Sequence, residues 1–297
     1  MKKKLWVLML AGQVMLAQAA WAAAPAADRD DELTAAVLKK TSSPRLYSNI
    51  ALIYDEKTQR PLYTKNADTV APIASITKLM TAMVVLDAKL PMNEEIAISS
   101  HDIDTLKGTH SRMRPGMTLT RAELLKLALM SSENRAASAL ARTYPGGTEA
   151  ALAKMNAKAR ELGMKDTRFF DPTGLNSANV STAQDLVKMV SAAKAYEPIR
   201  RFTTSTSYEV DLPGRRSMRY VNTNPLVKNE SWDIAVSKTG YINEAGRCLV
   251  MEAKISQRPV VIVLLDSWGK NTRVGDANRI KKWMESANTR NRTTRRG

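Results

Sequence analysis

The chain has 297 residues and a formal net charge of +16 at pH 7, yet only 5% of its residues are aromatic. Proteins that bind single-stranded nucleic acid combine basic grooves with aromatic side chains on which bases stack, so this composition argues against a nucleic-acid partner. One cysteine and two histidines exclude an intramolecular disulfide and leave too few ligands for a structural zinc site, and there is no glycine-rich phosphate loop, so we expect no metal and no cofactor.

The N-terminal residues predict export. Residues 1–22 carry three lysines, then an apolar core, then the small-residue site Ala20-Trp21-Ala22, which is typical of a cleavable Sec-type signal peptide. No later segment is long and apolar enough to span a bilayer, so we expect a soluble, exported protein with a charge of +13 (16 − 3) after cleavage. Residues 23–45 predict a polar lead to one folded domain at 46–287.

The first chemical motif, SITK, begins a predicted helix that follows a predicted hairpin at 49–66. From Ser75 onward, apolar residues recur at the spacing of a buried helix, and Pro72 precedes them as a start signal. Residues three apart share a helix face, so Lys78 lies one turn from Ser75 and is the candidate base for its hydroxyl. The backbone N–H of Ser75 is a candidate oxyanion donor, together with that of Tyr241.

A Ser-x-x-Lys pattern also has a simpler explanation, in which the serine caps a helix and the lysine lies on its surface. That explanation weakens here because Lys78 stands in an apolar run, where a lysine is costly unless it has a role. Burial would lower the pKa of Lys78, and a second cation nearby, for which Lys238 is the candidate, would lower it further.

The second motif, SEN at Ser132 to Asn134, stands between two helical stretches, where a short loop can present side chains to a cleft. The alternative is that Ser132 or Asn134 only caps the second helix. The helical stretches predicted in this part of the chain lie near 121–143, 148–162 and 182–194. Ser181 is the predicted cap of the last stretch.

The third motif, KTG at Lys238 to Gly240, lies in an alternating run that predicts a strand. A strand edge with these residues can line a cleft, and Gly240 permits close approach of another backbone, although the motif by itself also fits an ordinary turn. Two further strands are predicted, at 248–255 and 259–266. A closing helix is predicted at 271–287, and the basic residues at 288–297 predict a disordered tail.

In this order, the three motifs resemble those of the penicillin-recognising serine DD-peptidases, the low-molecular-mass penicillin-binding proteins. Longer stretches resemble the D-alanyl-D-alanine endopeptidases of Gram-negative bacteria within that family. These stretches are PIASITKLMTAMVVLDA (72–88), LALMSSENRAA (127–137), YPGG (144–147), PTGL (172–175) and KTGY (238–241). The resemblance covers nearly the whole chain after residue 45.

The resemblance implies a fold and a role for each motif residue. The implied fold is α+β, of the DD-peptidase/β-lactamase type, with a five-stranded antiparallel sheet flanked by helices, a mostly helical subdomain and a catalytic cleft between them. Ser75 is implied as the acylated nucleophile, Lys78 as its proton acceptor and Ser132 as the proton relay to the leaving amine. The implied substrate-binding residues are Asn134 for the substrate amide, Lys238 and Thr239 for the terminal carboxylate, and Gly240 and Tyr241 beside them.

The implied activity is that of a periplasmic endopeptidase that hydrolyses D-alanyl–diaminopimelate cross-links in peptidoglycan and is acylated by β-lactams. The alternative is a DD-carboxypeptidase that removes terminal D-Ala. Many such carboxypeptidases carry a second domain, for which the 57 residues after Gly240 (297 − 240) leave no room, and often have histidine where this chain has Tyr241. The expected partners are stem peptides and β-lactams, and the basic surface suits loose association with murein or an anionic membrane surface.

Two further classes are alternatives to a peptidase. A class A β-lactamase uses an added glutamate to activate the deacylating water, but the chain has no E-x-x-L-N motif, and ELGM at Glu161 lacks the spacing. We therefore expect slow release of a β-lactam adduct, and rapid hydrolysis of penicillin by the pure protein would contradict this. A β-lactam sensor acylates without turnover and needs transmembrane signalling segments, which the sequence after the signal peptide does not predict.

Overall fold

The computed structural model describes residues 42–211 and 217–294, and a five-stranded antiparallel sheet lies at its centre, as the resemblance implied. The strands of this sheet are β1 (Ile50–Asp55), β2 (Arg60–Lys65), β9 (Asp233–Ile242), β10 (Gly246–Ile255) and β11 (Arg258–Ser267). They are ordered β2-β1-β11-β10-β9, so the predicted hairpin pairs with the last strand of the chain, and β9 forms one edge of the sheet.

Short strands tie the loops around the sheet together in pairs. These strands are β3 (Ala71–Pro72), β4 (Glu95–Ala97), β5 (Thr118–Thr120), β6 (Val180–Ser181), β7 (Ser207–Val210) and β8 (Met218–Val221). They pair as β3-β6, β4-β5 and β7-β8. Two residues separate the end of strand β3 from SITK. The pairing of β3 with β6 therefore holds the chain around residue 180 next to the start of the SITK helix.

The described residues form seven α-helices. They are α1 (Lys78–Asp87), α2 (Arg121–Met130), α3 (Asn134–Arg142), α4 (Gly147–Glu161), α5 (Ala183–Ala193), α6 (Glu197–Thr204) and α7 (Thr272–Thr294). The stretch predicted as helical at 121–143 is therefore two helices, separated at the SEN motif. The predicted cap of α5 was wrong by one residue, because Thr182 accepts the hydrogen bond from Asp185 N at 3.1 Å while the Ser181 hydroxyl bonds to Thr167.

Two hydrophobic clusters lie on the two faces of the sheet, since β10 and β11 are apolar along almost their whole length. On one face, Ile280 and Trp283 of α7 pack with Ile53 of β1. On the other face, Leu186 of α5 belongs to the larger cluster, which also contains the buried side of α1 and α2. The helical part of the molecule is thereby packed against the face and edge of the sheet that carry KTG.

The closing helix is longer than predicted. It was expected to end at residue 287, with a disordered basic tail at 288–297, but α7 continues to Thr294. No glycine or proline interrupts the chain between Gly275 and Gly297. The local charge that suggested disorder therefore does not stop the helix.

The predicted signal peptide at 1–22 and the polar lead up to residue 41 lie outside the described residues. Within the described part of the chain, no helix combines the length and apolarity needed to cross a membrane. The side chains of His101 and His110 are exposed, and Cys248 is fully buried in β10.

Candidate active site

Ser75 lies in a 3₁₀ turn, Ala74–Thr77, that runs directly into α1. The turn begins with Ala74 at φ +46°, a left-handed conformation that is uncommon for a residue with a Cβ atom. The Thr77 hydroxyl donates a 2.8 Å hydrogen bond to the Ala74 carbonyl and so closes the turn. Ser75 is thus held at the start of a helix, where backbone N–H groups without an intrahelical partner favour negative charge.

The Lys78 side chain is completely buried and its Nζ atom has three oxygen neighbours. Nζ lies 2.8 Å from Ser75 Oγ, 2.7 Å from Asn134 Oδ1 and 2.7 Å from the Thr173 carbonyl oxygen. A neutral amine has two N–H donors and one lone pair. When Lys78 is neutral, the Asn134 and Thr173 oxygens can accept its two hydrogens, which leaves the lone pair directed at the Ser75 hydroxyl.

Burial lowers the pKa of Lys78 to about 7, although the carboxylates of Asp171, Glu133 and Asp104 oppose this shift. Burial is the expected cause of the lowered pKa of Lys78, whereas the expected further lowering by Lys238 is not found. Burial also lowers the pKa of Lys238 well below its ordinary value, and repulsion from the Lys78 ammonium adds to the effect there. At neutral pH, a substantial fraction of Lys78 is therefore available as a base.

The SEN motif forms the junction between α2 and α3, where Ser132 adopts φ +62°. Neither Ser132 nor Asn134 caps α3, because the Glu133 side chain accepts the hydrogen bond from Arg135 N at 3.4 Å. The Asn134 amide instead spans the site, accepting from Lys78 and donating from Nδ2 to Thr109 Oγ1 at 3.0 Å. Non-glycine residues in left-handed conformations tend to occur at functional sites, and Ser132 has no capping role that would explain this one.

KTG lies on the edge strand β9 and completes the cleft from the sheet side. The Lys238 ammonium, which is buried, donates to Ser132 Oγ at 2.8 Å and so connects the second and third motifs. The Thr239 and Thr223 hydroxyls lie 2.6 Å apart. A Cβ atom on Gly240 would lie 3.0 Å from Ser75 N, so a larger residue at 240 would crowd the candidate oxyanion site.

These residues line one cavity of about 260 Å³. All three motifs contribute to its wall, since Ser75, Ser132, Asn134, Thr239, Gly240 and Tyr241 all line it. The structure thus brings the predicted residues together, with Lys78 and Lys238 buried just behind the wall.

The cavity also contains a residue that the sequence analysis missed, Arg273, the second residue of α7. Its Nε and Nη1 atoms are buried and have no hydrogen-bond partner among the described residues, and burial lowers its pKa. A buried guanidinium without a partner in a cleft is suited to a carboxylate ligand. No local sequence signal marks Arg273, because it is one of several basic residues in and around a helix.

The PTGL segment supports the turn that carries Ser75. Asp171 accepts backbone hydrogen bonds from Thr173 and Asn176, both at 2.6 Å, and so folds the loop that presents the Thr173 carbonyl to Lys78. Gly174, at φ +83°, packs directly against the Ala74 carbonyl. The loop therefore positions both Lys78 and the turn that carries Ser75.

Gly174→Ala is expected to lower the free energy of unfolding by about 3 kcal/mol and to slow the acylation of Ser75. A Cβ atom at this position would lie 1.9 Å from the Ala74 carbonyl oxygen and 2.8 Å from Ser75 N, and backbone atoms cannot rotate away as a side chain can. Overpacking typically costs about 1–3 kcal/mol, and the left-handed backbone adds about 1–2 kcal/mol. Chemical denaturation and the rate of labelling by a fluorescent penicillin measure the two effects.

Gly163→Ala is the matched control for this prediction. Gly163 also has a positive φ, +69°, but its Cβ atom would meet nothing within 4 Å. We expect about 1 kcal/mol of destabilisation and an unchanged labelling rate. Equal losses of stability and equal labelling rates in the two variants would show that the contact between Gly174 and the turn that carries Ser75 affects neither stability nor acylation.

A model of the peptidase S11 family, described as D-alanyl-D-alanine carboxypeptidase, matches residues 37–269. The chain is 48% identical over 242 residues to a D-alanyl-D-alanine endopeptidase of Pseudomonas aeruginosa, an alignment covering 81% of this chain and 78% of the relative. It is 46% identical over 246 residues to a D-alanyl-D-alanine endopeptidase of Escherichia coli, covering 82% and 79%. Its fold is similar to the crystal structure of the Streptomyces K15 DD-transpeptidase, with a TM-score of 0.76 and 30% identity over 83% of this chain and 100% of that one.

Proposed function

Because this chain belongs to the peptidase S11 family of D-alanyl-D-alanine peptidases, we propose that it hydrolyses the D-alanyl–diaminopimelate cross-link between peptidoglycan stem peptides as an endopeptidase. The observation that carries the chemistry is the position of Lys78 Nζ, 2.8 Å from Ser75 Oγ with its remaining hydrogens accepted elsewhere. The choice of an endopeptidase over a carboxypeptidase is supported by the names of the two relatives that share almost half of their aligned residues with it.

Acylation proceeds in this proposal by attack of Ser75 Oγ on the D-alanyl carbonyl, with the hydroxyl proton passing to Lys78. The backbone N–H groups of Ser75 and Tyr241 donate to the oxyanion that forms, a contribution worth roughly a hundred- to a thousandfold in rate for one such donor. The C–N bond then breaks, and the leaving amine takes a proton through Ser132, which Lys238 contacts at 2.8 Å. Water hydrolyses the resulting ester and regenerates Ser75.

The leaving half of the substrate carries a free carboxylate next to the scissile bond, and one end of the cleft suits it. Thr239, with its hydroxyl paired to that of Thr223, and Lys238 were the residues expected there, and Arg273 adds a guanidinium whose Nε and Nη1 atoms have no partner among the described residues. Planar guanidinium groups bind carboxylates through paired, charge-assisted hydrogen bonds. A β-lactam presents a carboxylate in the same position relative to its reactive carbonyl, so we infer that it binds in the same way.

The rate of acylation is expected to rise about tenfold per pH unit below about pH 7 and to level off above it. Only the neutral form of Lys78 can accept the Ser75 proton, and burial lowers the pKa of Lys78 to about 7, so the neutral fraction grows as the pH rises through that value. Stopped-flow acylation by a fluorescent penicillin from about pH 5 to about pH 9 measures the profile. A profile that is flat through pH 7 would show that Lys78 is not the base.

The proposed location is the periplasm, on the basis of the predicted signal peptide at 1–22. The basic surface suits loose association with murein or with an anionic membrane surface. Such association would weaken as ionic strength increases, because exposed charges are screened beyond about 10 Å at 0.1 M salt. Co-sedimentation of the protein with isolated sacculi at low and high salt tests it.

The deciding experiment is a digest of purified cross-linked muropeptide dimer and of monomeric pentapeptide, analysed by liquid chromatography and mass spectrometry. Conversion of dimer to monomers with the pentapeptide unchanged is the expected result. Loss of terminal D-Ala from the pentapeptide with the dimer intact would instead assign the protein to the carboxypeptidases.

A further inference from the structure

We propose that a second groove, beyond Tyr241, binds the carboxylate-bearing stem peptide on the acyl side of the scissile bond. The groove has a volume of about 360 Å³ and lies where the β9–β10 hairpin meets the loop after β11. It shares Tyr241 as a wall with the catalytic cavity. The inference rests on the proposed function, since it assigns a further part of the same substrate to a further part of the same cleft.

The walls of this groove, defined here by Tyr241, Arg247, Trp268 and Lys270, are aromatic and cationic. Trp268 is 77% exposed and Tyr241 is 52% exposed, so two large aromatic faces are open to solvent at the rim. Two contacts hold the Tyr241 ring, since its hydroxyl donates to Asn243 Oδ1 at 2.8 Å and the Arg247 guanidinium lies 4.5 Å from its centroid. Exposed aromatic side chains that are held in place are typical of binding surfaces.

The two cations of the groove are available to a ligand. Among the described residues, neither Arg247 nor Lys270 forms an ion pair. Glu244, the acidic residue nearest to Arg247 in the chain, pairs with Lys107 at 2.5 Å, and Asp266, the one nearest to Lys270, accepts a hydrogen bond from Asn49 at 2.9 Å. Arg247 and Arg273 are also close enough for repulsion between them to contribute to the lowered pKa of Arg273. The groove and the adjoining end of the cleft therefore form one region of positive potential, which an acidic ligand would neutralise.

The order of residues along β9 gives the direction of the substrate. Lys238 and Thr239 form the carboxylate end, and Gly240 stands opposite Ser75, where its Cβ position would be 3.0 Å from Ser75 N. A strand advances about 3.3 Å per residue, so Tyr241 and the groove lie on the far side of the reacting carbonyl from the carboxylate end. The part of the substrate that reaches the groove is consequently the acyl-side stem.

The chemistry of a stem peptide matches the groove. Murein stem peptides carry free carboxylates, which Arg247 and Lys270 can bind, and an extended backbone, which can lie against aromatic faces. Arginine is especially suited to this role because its planar group can bind a carboxylate while it stacks on an aromatic ring, as Arg247 does on Tyr241. A penicillin with a short uncharged side chain has its only carboxylate on the leaving side, so the groove distinguishes peptides from such drugs.

Three synthetic cross-linked dimers test the proposal: one with all stem carboxylates free, one with the acyl-side stem carboxylates converted to primary amides, and one with the leaving-side stem converted while the carboxylate beside the scissile bond stays free. For the unaltered protein we expect kcat/KM to fall roughly fivefold to tenfold when the acyl-side stem is amidated and to change little when the leaving-side stem is amidated. In Lys270→Gln and in Arg247→Gln/Lys270→Gln, this discrimination should shrink, and in the double variant the ratio should approach one. Each rate is divided by that of acylation by benzylpenicillin, which reports on the integrity of the catalytic centre.

Lys154→Gln is the matched control, because it removes an exposed lysine of α4 and should leave the discrimination intact. Discrimination that persists in the double variant, or that follows the leaving-side stem, would overturn the assignment of the groove. If the unaltered protein cleaves no dimer but removes D-Ala from pentapeptides, the proposed endopeptidase function fails. The groove is then tested with free and amidated pentapeptides, because a pentapeptide presents the same acyl-side stem as the dimer. If the protein cleaves neither, both proposals are rejected.

Discussion

Ser75→Ala is expected to abolish covalent labelling by a fluorescent penicillin and to lower cross-link hydrolysis by roughly a millionfold, the size of loss found when a serine hydrolase loses its nucleophile. The variant removes only the oxygen that lies 2.8 Å from Lys78 Nζ. The Asn134 and Thr173 oxygens remain as partners of Lys78, so the fold should be preserved. Gel fluorescence after penicillin treatment measures the labelling, and thermal denaturation confirms that the protein is folded.

Ser231→Ala is the control for this prediction, since Ser231 is an exposed serine before β9. It should be labelled like the unaltered protein. Persistent labelling of Ser75→Ala would remove Ser75 from the nucleophilic role, and peptide mapping of the adduct would then identify the serine that reacts.

Lys78→Ala is expected to slow acylation by roughly a hundred- to ten-thousandfold while changing the affinity of the non-covalent complex much less. Lys78 is the base in the proposed mechanism, and its contacts are with Ser75, Asn134 and the Thr173 carbonyl, while the carboxylate end of the cleft is built by Thr239 and Arg273. Stopped-flow acylation gives the rate. Binding of a fluorescent penicillin to the Ser75→Ala protein, with and without Lys78→Ala, gives the affinity.

Lys158→Met provides the matched control for a largely buried lysine. Lys158 lies on α4 and forms a 2.8 Å ion pair with Asp87. Neither residue lines the catalytic cavity. We expect this variant to lose stability, because the Asp87 carboxylate loses its ion pair and keeps only the hydrogen bond from the Tyr196 hydroxyl, but to keep the acylation rate of its folded fraction. Near-normal acylation by Lys78→Ala would instead show that another group acts as base.

The site tested by Ser75→Ala and Lys78→Ala depends on two residues with left-handed backbone conformations, Ala74 and Ser132. Ala74 precedes the candidate nucleophile and Ser132 is the candidate relay, and neither is a glycine. Such conformations cost of order 1–3 kcal/mol each and persist only where surrounding contacts impose them. Around Ala74 those contacts come from Gly174 and the Thr77 hydroxyl, which explains why the PTGL segment matters although it contributes no predicted catalytic side chain.

Much of the secondary structure could be predicted because it depends on neighbouring residues. The apolar spacing after Ser75 predicted α1, and the alternating and apolar runs after residue 232 predicted β9, β10 and β11. The two errors had different causes, one a tertiary contact and one local. The Ser181 cap was displaced because its hydroxyl pairs with Thr167, and α7 continued beyond 287 because no breaker residue is present there.

The sequence by itself determined the contact between Ser75 and Lys78, because a three-residue separation on a helix places two side chains on one face. Only the tertiary structure decided the rest of the site. It joins Lys78 to Asn134 across 56 residues and Ser132 to Lys238 across 106, and it adds the Thr173 carbonyl and Arg273, neither of which was assigned a role from the sequence. The lowered pKa of Lys78 also belongs to the tertiary structure, because it arises from burial, and burial is produced by packing between segments that are distant along the chain.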